Sequence, residues 1–307
     1  MYLYHFGLHE LPFTLTPNTN FFLGLEPHNE ALAVLLTALK SGEGFIKIIG
    51  EVGTGKTLMC RKLLNEIPEH FVTAYIPNPY LKPDELRRAV AVELGVKNAQ
   101  RISLQLVTQH IQTRLLELHN KGHSVVLILD EAQALPAESL EALRLFTNLE
   151  TETRKLLQVV LFAQPELDDR LAESAFRQLK QRITFSYKLR SMTPIEVEHY
   201  ILHRLKIAGY RGANLLSHSL AKKIAKVTNG IPRLVNILCH KMLILCYGEG
   251  NYQLTKKHLR YAIKDTEGVA DKQSNNTTFV SLLLILIIAV LFYAWTIWGS
   301  VILGPIL

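Results

Sequence analysis

A stretch rich in glycine, with a lysine and threonines, has the spacing of a phosphate-binding loop. Residues 50–57 read GEVGTGKT and fit the pattern G-x-x-x-x-G-K-[ST] at every fixed position. In such a loop the glycines let backbone N–H groups point at a phosphate, and the following helix adds partial positive charge. We expect Lys56 to contact the β- and γ-phosphates of ATP and the hydroxyl of Thr57 to bind Mg²⁺. The residues expected to contact the nucleotide are Gly50, Glu51, Val52, Gly53, Thr54, Gly55, Lys56, Thr57 and Leu58.

Two adjacent carboxylates, Asp130 and Glu131, follow an apolar run further along the chain, in the segment VVLILDE. Side chains at the carboxyl end of a parallel strand face the ligand crevice of an α/β sheet, so both carboxylates should lie near the phosphates. Asp130 suits Mg²⁺, directly or through water, and Glu131 suits the base that orients and deprotonates the attacking water. Such a pair is also a common helix start, but together with the loop it predicts ATP hydrolysis.

Two further polar residues are candidates for contacts to the γ-phosphate. Gln164 follows the apolar run that ends at Ala163, and its amide could touch the γ-phosphate or the water; the alternative is a turn residue before Pro165. Arg233 stands in the first turn of a predicted helix that starts GIPR, where its charge opposes the helix dipole. A phosphate contact would explain that placement; the alternative is a surface charge.

The elements that must position these residues change character near residue 190. Before it, apolar strand-like runs alternate with helical ones, which predicts a parallel sheet in an α/β fold. The predicted strands are 45–49, 71–76, 124–129, 156–163 and 183–189. After it the pattern is helical only, with a capping box at Thr193-Pro194-Ile195-Glu196. We therefore predict an ATPase core over 1–190 and a small helical lid domain over 191–265.

Composition limits the class of protein and the partners it can take. Apolar residues at 48% and charged residues at 20% exclude a disordered chain. The net charge of +7 is uneven, because residues 190–264 hold 13 Lys or Arg against 3 Asp or Glu, a balance of +10. A solvated surface is the ordinary explanation for this bias. The more specific explanation is that the surface binds an anionic lipid or nucleic acid. Three cysteines without metal-type spacing predict reduced thiols and no metal other than Mg²⁺.

The end of the chain has the character of a membrane anchor. Residues 279–298, FVSLLLILIIAVLFYAWTIW, are long enough to cross the hydrocarbon as a helix, and a polar linker at 266–278 precedes them. Basic residues stand before this segment and none follows, so the positive-inside rule places the ATPase region in the cytoplasm and 299–307 beyond the membrane. The alternative is a buried core helix without a polar face.

Taken together, the motifs GEVGTGKT, LILDEAQ, AQPEL at 163–167 and NGIPRLVN at 229–236 resemble the AAA+ ATPases. The branch resembled is the secretion and pilus-assembly group of ExeA/GspA and MshM proteins, which the opening residues 1–22 and the stretch 200–210 also resemble. The resemblance covers about residues 1–265. It implies a P-loop NTPase core, a helical lid and a nucleotide sandwiched between the subunits of a ring or other homo-oligomer.

The resemblance also implies roles for single residues. Gln164 would be sensor 1 and Arg233 sensor 2, and an arginine finger acting in trans would be Arg182, with Arg177 as the rival. Ala163 stands where the family usually has glycine, a small change. ExeA-like members carry a peptidoglycan-binding part after the membrane span, whereas here only about nine residues follow, so the short form looks closest to the MshM proteins of type IV (MSHA) pilus biogenesis.

Three functions fit these observations. The first is an ATPase anchored in the bacterial inner membrane by a single span, which acts on pilus or secretion assembly proteins. The second is a DNA-directed AAA+ regulator resembling transposition helper ATPases, with the basic lid on phosphates; the apolar tail argues against it. The third is a slow nucleotide-state switch that recruits a partner, which the sequence does not separate from the first.

Overall fold

The computed structural model describes residues 2–146, 149–150, 155–212 and 215–266. Its centre is a five-stranded sheet in which every neighbouring pair is parallel, with the strand order β2-β3-β4-β1-β5. The strands are β1 (Phe45–Gly50), β2 (Phe71–Ile76), β3 (Ser124–Leu129), β4 (Leu157–Ala163) and β5 (Ile183–Leu189). All five match the predicted strands to within a residue.

Helices cover both faces of the sheet and then form a bundle after β5. The first eight are α1 (Tyr2–Phe6), α2 (Glu26–Lys40), α3 (Lys56–Glu66), α4 (Pro83–Glu93), α5 (Leu104–Asn120), α6 (Ala137–Phe146), α7 (Glu166–Ala172) and α8 (Arg177–Arg182). The helical bundle consists of α9 (Pro194–Ile207), α10 (His218–Thr228), α11 (Pro232–Gly248) and α12 (Lys256–Lys264). Short 3₁₀ turns occupy Thr19–Phe21, Ala132–Ala134 and Ser174–Phe176.

The central strands β3 and β4 are buried on both faces because helices cover both faces of the sheet. Side chains of a strand alternate between faces, and β3 shows the result. Val125, Leu127 and Leu129 pack in a cluster with residues of α4 and α5. Val126 and Ile128 pack in a second cluster with residues of α2 and α3. The carboxyl ends of β1, β3 and β4, where the predicted site residues stand, therefore share one edge of a three-layer fold.

The N-terminal residues pack against the helical bundle. Their apolar side chains belong to the same buried cluster as the helical bundle: Tyr2, Phe6, Leu8, Phe13, Phe21 and Leu25. A backbone hydrogen bond joins the same two regions, since the amide of His9 donates to the carbonyl of Ala208 at 2.8 Å. Buried apolar residues of α9 and α11 belong to this cluster, and the aromatic residues of the first segment pack with them.

No helix within the described residues is long and apolar enough to span a bilayer. The predicted span 279–298, most of its linker 266–278 and the tail 299–307 lie outside the part of the chain that the structure describes.

Candidate functional site

The loop at 50–57 connects β1 to α3, which begins at Lys56. Gly55 caps the helix in the left-handed region with φ of +98°, and Gly53 has φ of +83°. These conformations are open to glycine and strained for other residues. The loop thus places the first amides of α3 at the carboxyl edge of the sheet, where an anion can accept hydrogen bonds from them.

Lys56 is folded back onto the loop. Its side chain is buried, and Nζ donates to the carbonyls of Gly50 at 2.8 Å and Glu51 at 3.1 Å. Burial lowers the pKa of Lys56, and the carboxylates of Glu131 and Asp130 oppose that shift. The ammonium group is therefore held by two loop carbonyls, which a phosphate oxygen can replace as its acceptor.

Asp130 lies against the start of α3, where its carboxylate accepts a hydrogen bond from the Thr57 hydroxyl and another from the amide of Glu131 at 2.9 Å. Burial raises the pKa of Asp130, and these two hydrogen bonds offset part of the rise. Mg²⁺ in phosphate sites takes one or two protein oxygens plus substrate phosphates and water. A buried carboxylate beside a hydroxyl fits that donor set. The described residues contain no cluster of three or more His, Cys, Asp or Glu suited to a metal.

Glu131 accepts hydrogen bonds from two amide side chains, one that follows β3 and one that follows β4. Its Oε2 accepts from Gln133 Nε2 at 2.5 Å and from Gln164 Nε2 at 3.0 Å. Gln133 Oε1 in turn accepts from the backbone amide of Gln164 at 3.0 Å. Glu131 has φ of +54°, a left-handed conformation that a non-glycine residue adopts at some energetic cost and that is common at functional sites. The arrangement fixes the carboxylate at the edge of the loop.

Gln133 was not identified from the sequence as a site residue. It stands in the quoted segment LILDEAQ, two positions after Glu131. Only the three-dimensional pairing of β3 with β4 brings it beside Gln164. Its own backbone carbonyl accepts from Arg170 Nη1 at 2.9 Å, which ties the pair to α7.

Arg233 brings the helical bundle onto the phosphate loop. Its backbone amide donates to the carbonyl of Gly53 at 3.2 Å, and its side chain lines the same cleft as Lys56. A β-carbon added at Gly53 would lie 2.6 Å from the Cβ of Arg233 and 3.2 Å from the Cγ2 of Ile231. Gly53 occupies a variable position of the loop pattern, so the need for glycine there comes from its positive φ and from this close approach.

Gly53→Ala is expected to reduce ATP turnover about 10-fold or more, because the added methyl pushes the bundle away from the loop and misplaces Arg233. Gly42→Ala is the matched control, since Gly42 has φ of +80° and a β-carbon added there would meet no atom within 4 Å. Both variants should lose about 1 kcal/mol of stability from backbone strain. Thermal unfolding and steady-state phosphate release measure the two effects. Equal turnover in the two variants would show that the contact between loop and bundle is dispensable.

The cleft between loop and bundle has a volume of about 290 Å³. Besides the loop, its walls are Glu131, Gln164, Pro232, Arg233, Tyr200, Arg204, Asn236 and residues 14–18. The segment 14–18 is a wall that sequence patterns did not predict. Arg61 of α3 holds it from the core side through the Pro17 carbonyl at 2.7 Å, and Asn236 holds it from the bundle side through the Thr14 carbonyl at 3.3 Å.

Arg204 is a buried cation in this wall. Its Nε donates to the Pro12 carbonyl at 2.5 Å, its Nη1 donates to the Tyr200 hydroxyl at 3.0 Å, and the guanidinium lies over the Phe21 ring at 4.6 Å. Its Nη2 is buried and has no hydrogen-bond partner among the described residues. Because buried donors are usually paired, a donor without an acceptor marks this wall as a candidate ligand contact. Arg204 stands in the quoted stretch 200–210, yet no pattern marked it as a site residue.

Arg182 lies away from this cleft. It ends α8 and immediately precedes β5, whose first residue is paired with Phe45 at the opposite end of β1 from Gly50. Its Nη1 donates to the carbonyl of Arg144 at 3.3 Å. A strand of six residues spans roughly 20 Å, so Arg182 stands far from the phosphate loop of its own chain. Arg177 begins the same helix and is exposed.

Comparison with known proteins bears on this arrangement. The family described as AAA domain matches residues 39–171, which include the loop, Asp130, Glu131 and Gln164. The chain is a P-loop ATPase with an AAA domain. This ATPase is also 37% identical over 300 residues to General secretion pathway protein A of Aeromonas hydrophila. That alignment covers 97% of the ATPase and 55% of its relative, so the chain spans about half the length of the curated protein it matches.

Solved structures share the fold of the ATPase at low sequence identity. Cdc6p of Pyrobaculum aerophilum matches with a TM-score of 0.60 and 19% identity, over 81% of this chain and 71% of that one. A Walker-type ATPase of Pyrococcus abyssi matches with a TM-score of 0.60 and 15% identity, over 88% and 80%. The ADPNP-ADP complexes of the ORC2 protein of Aeropyrum pernix match with a TM-score of 0.58 and 17% identity, over 81% and 72%. The α/β P-loop fold predicted from the sequence is thus confirmed.

Proposed function

We propose that this protein is a membrane-anchored AAA+ ATPase that binds and hydrolyses Mg·ATP to support the assembly of secretion or type IV pilus machinery. The observation that carries the hydrolytic part is the convergence at one edge of the sheet. Four separate parts of the chain meet around one cleft. They contribute Lys56 and Thr57, Asp130 and Glu131, Gln164, and Arg233.

The contacts of each residue indicate its role in hydrolysis. Lys56 exchanges its two loop carbonyls for oxygens of the β- and γ-phosphates. Thr57 and Asp130 would hold Mg²⁺, which neutralises charge on the phosphates when bound. Glu131, held by Gln133 and Gln164, orients the attacking water and accepts its proton.

The far side of the cleft would receive the rest of the nucleotide. Segment 14–18, Tyr200 and Asn236 line it, and the Nη2 of Arg204 is a donor for an acceptor atom of the nucleotide. The bundle and the N-terminal segment then close on the same ligand. Arg233, which is already seated on the loop, would sense the γ-phosphate through this closure.

Hydrolysis would be completed by a second copy of the chain. Arg182 is too far from its own loop to act there, which supports a role in trans as the arginine finger of a neighbouring subunit in a homo-oligomer, with Arg177 as the rival. The partner system is inferred from the relative, whose printed name is General secretion pathway protein A. The resemblance to MshM proteins points more narrowly to MSHA-type pilus biogenesis.

Crosslinking in native bacterial membranes, followed by identification of the captured proteins, tests the assembly role. Inner-membrane proteins of a pilus or secretion apparatus are the expected partners. The second candidate is a DNA-directed regulator, which the balance of +10 over residues 190–264 favours. Recovery of chromosomal DNA in place of assembly proteins would support that candidate and contradict ours.

Removal of residues 279–307 is expected to release the protein into the soluble fraction, because that segment carries the only predominantly apolar, uncharged run of spanning length in the sequence. Fractionation and immunoblotting measure the distribution. The matched control removes 299–307 only and should stay with the membrane. Continued membrane retention of the longer deletion would show that something other than this segment anchors the protein.

A further inference from the structure

A basic groove with an apolar floor lies between α10 and α12 of the helical bundle. Its volume is about 480 Å³. The floor is formed by Val227, Leu259 and Ile263, and the rim is formed by five cationic residues: Lys223, Lys226, Lys256, Arg260 and Lys264. Among the described residues, no acidic side chain lines it. This basic groove is separate from the nucleotide cleft, which shares none of these residues.

The rim charges are not neutralised inside the bundle. All five side chains are exposed, and within the described ranges none of them forms an ion pair. The nearby carboxylates are engaged elsewhere, since Asp265 pairs with Lys241 and Glu249 pairs with Lys257 and His258. Like charges gathered around one groove repel each other, so the folded bundle gains from an anionic ligand that accepts all of them.

Helix dipoles explain only part of this clustering. Lys226 and Lys264 stand in the last turns of α10 and α12, where positive charge is favoured. Lys256 is the first residue of α12, where positive charge is disfavoured. Lys223 and Arg260 lie mid-helix. An anionic ligand that attracts all five cationic side chains accounts for the whole cluster.

We propose that the basic groove binds the phosphate headgroups of anionic phospholipids in the membrane leaflet that faces the ATPase. The proposal rests on the membrane attachment put forward above. From Thr266, where the described part ends, 12 residues lead to the apolar segment that starts at Phe279. Twelve residues span at most about 40 Å, which keeps α12 within reach of the bilayer surface.

The floor of the groove favours lipid over single-stranded nucleic acid. It is aliphatic, whereas grooves that bind single-stranded nucleic acid use aromatic side chains on which bases stack. Lysine and arginine stems lie along aliphatic surface while their charged ends reach headgroup phosphates. Each basic side chain close to an anionic leaflet strengthens association about fivefold, so the loss of three weakens it about 100-fold.

A fluorescent label close to the groove measures this contact. The three native cysteines are fully buried, so Tyr261→Cys, at an exposed position of α12, can be labelled selectively. The labelled full-length chain is reconstituted with vesicles of phosphatidylcholine alone or mixed with phosphatidylglycerol, each containing lipids whose headgroups carry a quencher. Flotation of the vesicles reports attachment, and quenching reports contact of α12 with the surface.

Two triple variants with the same change in net charge are compared in this background. The test variant is Lys223→Glu, Lys226→Glu, Arg260→Glu. The control is Lys40→Glu, Lys97→Glu, Lys121→Glu, at exposed positions of the α/β region that form no ion pair in the described part of the chain. Both variants should keep the ATP turnover measured without lipid, which shows that they fold.

We expect all three proteins to float with both vesicle types. The label should be quenched more strongly on phosphatidylglycerol vesicles in the unmutated and control proteins, and this increase should disappear in the test variant and at high salt. Flotation with equal quenching on both lipids would overturn the groove assignment and leave the anchor intact. No flotation at all would overturn both. A response to a DNA duplex that exceeds the response to lipid, and that the test variant loses, would assign the groove to nucleic acid instead.

Discussion

Lys56→Ala is expected to weaken ATP binding about 100-fold or more, because it removes the cation that is buried under the loop and can exchange its carbonyl acceptors for phosphate oxygens. Two charge-assisted hydrogen bonds are lost together. Isothermal titration with ATP and Mg²⁺ measures the change.

Lys62→Ala is the matched control for this variant. Lys62 lies on the same helix, six residues later, and pairs with Glu66 in a partly exposed contact at 2.7 Å that contributes little to stability. ATP should raise the unfolding temperature of the control as it does that of the unmutated chain, and should raise that of Lys56→Ala much less. Unaltered ATP affinity in Lys56→Ala would contradict the assignment of the loop.

Glu131→Gln is expected to keep ATP binding and to lower turnover roughly 10²- to 10⁴-fold. The replacement has the same shape, and its amide oxygen still accepts hydrogen bonds from Gln133 and Gln164, so the geometry of the site is retained. What is lost is the ability to take a proton from water. Retention of radiolabelled ATP on a filter, set beside phosphate release, separates binding from hydrolysis.

The control for Glu131→Gln is the same substitution at Glu138, an exposed position in the first turn of α6. It should bind and hydrolyse ATP as the unmutated chain does. Turnover at the unmutated level in Glu131→Gln would mean that another group activates the water. A loss of ATP binding would instead indicate that Glu131 shapes the nucleotide site.

The parts of the fold that could be predicted from the sequence are those with local signals. The strands are apolar or alternating runs, and the loop, Asp130 and Glu131 stand at strand ends, where chain direction alone places them at one edge. The signal for the start of α9 is also local, since Thr193 and Glu196 cap the helix reciprocally. Short-range chemistry was sufficient in all of these cases.

The parts that could not be predicted depend on contacts between distant segments. The role of Gln133 follows from the pairing of β3 with β4, and the available donor of Arg204 follows from the position of Pro12, which is 192 residues away. Segment 14–18 has no helical or strand periodicity, so no pattern marked it as a wall of the cleft. Helix α2, Glu26–Lys40, was also not predicted, although it covers one face of the sheet.

The packing of the first residues against the bundle constrains how the chain folds as it is made. The hydroxyl of Tyr2 meets Nδ1 of His240 at 2.9 Å, a contact between residues 238 positions apart. During synthesis, the aromatic side chains of the first segment wait roughly 10 to 50 s before α11 emerges to cover them. Before α11 emerges, the sheet can form, but the apolar side chains of the first segment stay exposed to chaperones and other nascent chains. Helices of the bundle therefore bury residues that were made long before them.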